Sequence, residues 1–450
     1  MYYHRIFRTH FLYRCIFKYV RWVHACFIYR TYTLHQPENI PHNEPFIIVA
    51  NHQNGILDAL ALLFMISDNR YPVFIARSDI FRNPLMAKLM VFFRLLPAFR
   101  IQDVGKNRVS ENEKVFSVTT ELLAEHNGII AVFPEGGHQE EHRLGRFKKG
   151  FARIAFQAAA HIDYARPIKI LPVGLHYHDK TLPGNLSVHI GNPLSTESLH
   201  AEYQTHPEKA LQILTEQTKE ALRTLMLDIQ EDTRYAEYAT LCEIAALHYT
   251  QHKKHSFTDT ELSVQQSTVH YLDSLKRDDI HRFNTLMSKT LAFDELRKGL
   301  RLPVSVLDSP RYTALNRISF ILFYILSIPF QLYALLHQGI PFVVTRLLSR
   351  KMDDEFLRVA MDLGLGSLFI FPLWYASLLL FAWFAIRISL PLFIVYAISL
   401  PASLWFSFRC FSCSKKVWSA LRTQHLERTD NSSFKTLRSY YHEIIKQIVG

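Results

Sequence analysis

The residues best suited to chemistry stand in the stretch IIVANHQNGILDAL, where Asn51 and His52 follow an apolar run and Asp58 opens a helical pattern. Imidazole is largely neutral near pH 7 and can take a proton from a hydroxyl. A carboxylate beside it orients the ring and stabilises the cation that forms. Six positions separate His52 from Asp58, a spacing that puts side chains far apart around a continuous helix. The chain must therefore bend between them, and Gly55 supplies the freedom. A second group lies in GIIAVFPEGGHQEEHRLGRFKKG. Here Pro134, Glu135, Gly136 and Gly137 form a turn whose backbone can approach a ligand closely and offer N–H groups to an anion. Arg143, Arg146, Lys148 and Lys149 follow, ahead of a helix opening at Gly150, so cations, a glycine turn and a helix N-terminus together suit a phosphate. Read alone, the first group also fits a hydrogen-bonded loop histidine and the second a solvated basic loop.

The elements that would position these groups are legible as alternation. Short apolar runs at 45–50, 72–76, 128–133, 168–177 and 186–191 read as strands. Helical patterns at 58–66, 84–93, 111–126 and 151–161 fall between them, and the sum is an α/β unit, a mixed sheet flanked by helices, over 41–195. Ahead of it, residues 1–40 mix Phe, Tyr, Trp, Ile and Val with Arg and Lys, a composition that favours an interfacial amphipathic helical region over a core-packed helix. Basic residues interrupt every hydrophobic run there, so no clean signal peptide is expected. Residues 196–317 read as a soluble helical region.

From 318 to 410 the composition turns apolar. Residues 318–344 hold Pro329 and Pro341 and predict one kinked span or a re-entrant segment; 365–386 and 388–408 are each long enough to cross, joined by a tight turn at Arg387. Positive flanks, among them Arg311, Arg317, Arg346, Arg350, Lys351, Arg409, Lys415 and Lys416, place the catalytic domain on the cytoplasmic face. Residues 411–450 read as a basic amphipathic tail near the membrane. Across 450 residues, 49% hydrophobic content, 33 Phe and 21 Tyr point to lipid, and a charge of +11 suits an anionic membrane surface or substrate. Given the apolar segments, membrane lipid is the expected partner and nucleic acid is not. Five scattered cysteines give no disulfide framework, and the pair Cys410 and Cys413 is read as structurally inert.

Four blocks in order, NHQNGILD, LLPAFR, FPEGG followed by FKKG, and ILPVGLHY, resemble the glycerol-phosphate acyltransferase family, which includes lysophosphatidate and glycerol-3-phosphate acyltransferases. The resemblance covers roughly 45–192 and implies that His52 is the general base and Asp58 its orienting carboxylate. It further implies that Glu135 and Gly136 help to bind the glycerol phosphate, that Arg100 holds the phosphate with Lys148 assisting, and that Pro172 shapes the acyl-donor side. It implies an acyl-CoA or acyl-carrier-protein donor, direct attack without an acyl-enzyme, and no cofactor. The widespread pattern has four residues between His and Asp; this chain has five, with Asn54 two positions after His52. That form resembles the fungal-type glycerol-3-phosphate and dihydroxyacetone-phosphate acyltransferases and favours first acylation, to lysophosphatidate, over second acylation. Such members carry Ser after the double glycine, and this chain carries His138.

Other classes fit less well. His138 and His142 have helical zinc spacing, but Gln139 stands where a zincin needs its glutamate. His176 and His178 on a strand are read as pointing to opposite faces, and no metal site is expected. No G-x-S-x-G elbow and no Walker loop occurs. A membrane scaffold without catalysis is the remaining alternative.

Overall fold

The computed structural model describes residues 3–66, 70–99, 111–137, 141–178, 184–252, 259–307, 314–350, 358, 362 and 364–448. Eight strands form one sheet: β1 (Tyr29–His35), β2 (Phe46–Ala50), β3 (Val73–Arg77), β4 (Leu95–Ala98), β5 (Ile129–Val132), β6 (Lys169–Tyr177), β7 (Gly184–Ile190) and β8 (Leu194–Ser195). The order is β1-β7-β6-β2-β5-β3-β4, with β8 also on β6. The run β6-β2-β5-β3-β4 is parallel, whereas β7 and β8 join β6 antiparallel. The sheet is therefore mixed. Pro172 sits at the break between the β8 and β7 partners of β6, so its missing N–H costs no ladder bond there.

Period-two alternation divides the strand residues between two cores. Ile47, Val49, Ile130, Val132 and Ile170 face one side, covered by α4 (Asn112–Ala124), α5 (Gly150–His161) and the helix Pro207–Arg223. Phe46, Ile48, Ala131, Leu171 and Val173 face the other, covered by α1 (Phe11–Val23) and α2 (Ile56–Met65). A further helix, α3 (Pro84–Phe92), stands beside β4.

The N-terminal region differs from its expected form. Tyr13, Phe17 and Val20 of α1 are buried against Phe64 and Tyr71, whereas Phe11 and Trp22 stay 82% and 51% exposed. One stripe of this helix is core and the other is apolar surface. Residues 29–35, read as part of the helical segment, are strand β1, held by its parallel pairing with β7. Its Arg, Tyr and Thr residues mask the strand because it lies at the sheet edge.

Beyond the sheet, the helices Tyr235–His252, Asp259–Asp278 and Ile280–Gly299 build a third core. The helix Ser432–Ile448 belongs to it: Phe434, Leu437, Tyr441 and Ile444 are buried there. The apolar stripe of the amphipathic segment read in 411–450 thus faces the helical region. Asn431 caps that helix, its Oδ1 accepting from Phe434 N at 3.0 Å. Between these parts lie, among the described residues, three helices long and apolar enough to cross a membrane, within Ala314–Ser349, Gly366–Ile386 and Leu390–Arg428. The first is one continuous helix through Pro329 and Pro341. Arg387, at φ 55°, turns the second into the third. Gln338 joins all three, donating to Leu400 O at 2.9 Å and accepting from Tyr375 OH at 2.8 Å.

Candidate active site

His52 leaves the carboxyl end of β2, between the ends of β5 and β6, where open parallel sheets present their ligands. Asn51 fixes the exit, exchanging two side-chain bonds with the backbone of Leu175 on β6, at 3.0 and 2.7 Å. The bend comes at Gly55, whose φ 54° and ψ −120° are open only to glycine. α2 begins there and carries Asp58 in its first turn. Fully buried, Asp58 receives His52 Nδ1 at 2.9 Å, Gln53 N at 2.8 Å and Asn54 N at 2.7 Å on Oδ2, and Tyr177 OH at 2.7 Å on Oδ1. An ionised carboxylate only accepts, so Nδ1 carries the proton and Nε2 is the ring nitrogen turned away from it. Phe133 stacks on the imidazole at 4.0 Å and 13°. Rotation of the ring would break both the stack and the bond.

The turn from Phe133 to Gly136 is closed by Gly136 N donating to Phe133 O at 3.2 Å, with Gly136 at φ 73°. Glu135 faces inward. Its Oε2 accepts from Gly145 N at 3.0 Å, and the His52 backbone N–H also serves it. Burial pushes its carboxyl up to about 7, partly offset by these N–H groups and by the His52 ring, with Asp228 adding to the rise. Lys148 N donates to Pro134 O at 2.8 Å, a second stitch between the turn and the 145–148 segment. Glu135 thus braces the backbone of His52 and the loop that brings in the cations.

Those cations have separate fates. Arg143 is committed to the link toward the helical region: it donates to Ile229 O and Glu231 O, pairs with Asp232 and lies 5.8 Å from the Tyr235 ring centre. Lys149 pairs with Glu208 at 3.3 Å. The four-cation cradle is therefore reduced to Arg146 and Lys148, both exposed and without a carboxylate partner among the described residues. Arg100 lies outside the described residues, as does His138. His142 is turned toward the catalytic loop, its Nδ1 3.2 Å from Gln53 Nε2.

One expectation is overturned. The ladder runs one residue past β6, His178 N donating to Asn185 O at 3.1 Å, so His176 and His178, two apart on extended chain, share a face. His176, His178 and Glu261 of the helical region bring their ligand atoms within 4.8 Å of one another. Burial pushes His176 down, toward its neutral form. Also missed were Tyr177, Phe133 and Gln53, although Tyr177 closes the ILPVGLHY block and Phe133 opens the FPEGG block.

Residues 31–176 match the family described as Acyltransferase. The 1-acyl-sn-glycerol-3-phosphate acyltransferase alpha of Mus musculus is 27% identical over 165 residues, 36% of this chain and 54% of that protein, so the chain spans about half the length of that relative. The crystal structure of the 1-acyl-sn-glycerophosphate acyltransferase PlsC from Thermotoga maritima aligns over 47% of this chain and 79% of that one, at 20% identity and a TM-score of 0.32. The likeness shown is to the Acyltransferase family, over residues 31–176, the segment that holds His52 and Asp58.

Proposed function

We propose that this protein transfers a fatty acyl chain from a thioester donor, acyl-CoA or acyl-carrier protein, to a hydroxyl of a glycerol phosphate. The observation that carries the reading is the His52–Asp58 pair, fixed at the carboxyl end of β2 inside the family-matched segment. His52 takes the acceptor proton as the oxygen attacks the thioester carbonyl. The C–S bond then breaks, and the leaving thiolate recovers that proton from the imidazolium. Asp58 holds the ring and offsets its positive charge. Glu135 and Gly136 act on the acceptor side by shaping the turn, and Arg100 and Lys148 supply charge to the phosphate. The five-residue spacing between His52 and Asp58 favours glycerol 3-phosphate or dihydroxyacetone phosphate as acceptor. The names of the two relatives favour 1-acylglycerol 3-phosphate, giving phosphatidate. Purified protein in detergent, offered each acceptor with both donors, separates the readings: product from 1-acylglycerol 3-phosphate alone rejects the first, and no acylated product from any acceptor rejects both.

The catalytic domain works against a membrane, on the cytoplasmic face. Phe11 and Trp22 of α1 and Leu85 of α3 present apolar surface, and α1 packs against the start of the helix Gly366–Ile386. Val304 and Val306 before those helices share a core with Phe434 and Leu437 after them, which argues that both ends lie on one side. Leu368 packs on the catalytic core, and a Cβ at Gly364 would lie 3.4 Å from Ile56, so the chain is back on that side before Gly366. In this reading Gly366–Ile386 and Leu390–Arg428 cross as a hairpin, and Ala314–Ser349, one continuous helix with both ends on the catalytic side, lies along the membrane face.

A further inference from the structure

The flank of the sheet away from His52 carries a second group of chemical side chains, at the seam with the helical region. We propose that His176, His178 and Glu261 form a binding site for a divalent transition ion, zinc by ligand preference, which fastens the helix Asp259–Asp278 to the end of β6.

Three observations converge on it. His176 Nε2 is buried without a hydrogen-bond partner and lies 3.9 Å from Glu261 Oε1, too far for a direct bond. The facing nitrogen of His178, Nδ1, meets the other oxygen of the same carboxylate. All three ligand atoms lie within 4.8 Å, and a tetrahedral zinc with bonds of ~2.1 Å needs its ligands about 3.4 Å apart. Small side-chain shifts would close that gap. Ser187 Oγ, 2.8 Å from His178 Nε2, can accept its proton and leave Nδ1 as the lone pair, the outer support that ligating histidines commonly have. Two imidazoles and one carboxylate select zinc-like ions over calcium or magnesium, which prefer all-oxygen sites. The ion would replace an ill-matched contact, one orphaned nitrogen beside one paired one, with a closed set.

The location gives it a consequence. His176 and His178 flank Tyr177, whose hydroxyl holds Asp58. An ion there would pin the strand end that carries a support of the catalytic carboxylate, and would bind the helical region to the catalytic domain.

The test uses the full chain in detergent, stripped with a chelator and titrated with Co²⁺ and then Zn²⁺. The expected result is one equivalent of Co²⁺ with the visible bands of a four-coordinate nitrogen and oxygen site, displaced by one equivalent of Zn²⁺. His178→Ala and Glu261→Gln should abolish those bands. Ser187→Ala, a small change at a buried site, should weaken binding by ~10- to 100-fold. Glu121→Gln with Glu125→Gln, in the exposed cluster with His126, should leave the bands unchanged and so separate surface binding from this site. Less than one equivalent bound by the wild-type chain overturns the proposal without reference to any variant, as do bands that persist in folded His178→Ala.

Discussion

Replacing Asp58 by Asn keeps the side-chain shape and removes the charge. Oδ2 accepts from two backbone N–H groups as well as from the imidazole, so the new amide will turn its oxygen to that side and its NH₂ to Tyr177, whose hydroxyl can reverse and accept. The histidine tautomer is thereby preserved, and what is lost is the charge assistance to the imidazolium formed in the reaction. Hydrogen bonds to charged groups contribute ~1.5–3 kcal/mol against ~0.5–1.5 for neutral ones. The bond survives in neutral form, so the loss is the difference, ~1–1.5 kcal/mol, and kcat falls by about 5- to 13-fold. KM should hold, because Asp58 acts through His52 and does not meet the substrate. Asp58→Ala is the contrast: it strands the Gln53 and Asn54 N–H groups at ~1–3 kcal/mol each, so its melting temperature should drop where that of Asp58→Asn stays near wild type. Initial rates over a range of acceptor concentration, with thermal melting of all three proteins in one detergent, decide the matter. An unchanged kcat in Asp58→Asn, or a loss confined to KM, would refute the reasoning.

Gly55→Ala forces a Cβ into a backbone region closed to it, at ~1–3 kcal/mol; the expected outcome is a lower melting temperature together with reduced kcat, as the bend carrying Asp58 relaxes. Burial pushes the Glu135 carboxyl up to about 7 in the folded chain, from an ordinary value of 4.5. Its contribution to stability is therefore complete below pH 4.5 and lost as pH rises through 7, so Glu135→Gln should melt with a flatter pH dependence across that window than wild type. Single cysteines at Ser349 and Arg387 in sealed vesicles should react from opposite sides, Ser349 from the side of the catalytic domain; labelling of both from one side would reject the hairpin reading.

Legibility in the sequence followed distance along the chain. His52, Gly55 and Asp58 fit in one short bend, and their chemistry could be read because the residues that orient the base lie beside it. The strands β2, β3, β5, β6 and β7 were visible because both faces are covered and their apolar runs are nearly unbroken. β1 was hidden, since an edge strand with Arg30 and four half-buried positions looks like its amphipathic neighbour. Arg143 read as a phosphate ligand because nothing local announces Asp232, 89 positions away. His178 and Glu261 are 83 positions apart, and nothing local announces that the helix carrying Glu261 packs on the face His176 and His178 share. Glu135 was placed at the acceptor from its motif, but its carboxyl serves backbone N–H groups whose directions a sequence does not carry.

The helix Ser432–Ile448 completes a core begun by Leu227 and Tyr238, and every membrane helix is encoded between them. Because the chain emerges in order, the apolar helices leave the ribosome while the helical region still lacks Phe434, Leu437, Tyr441 and Ile444. The exposed groove has to survive in a cell until the helix Ser432–Ile448 emerges. A premature stop at 431 would leave the acyltransferase domain and its membrane hairpin intact in sequence, with an open apolar groove for chaperones and proteases to find.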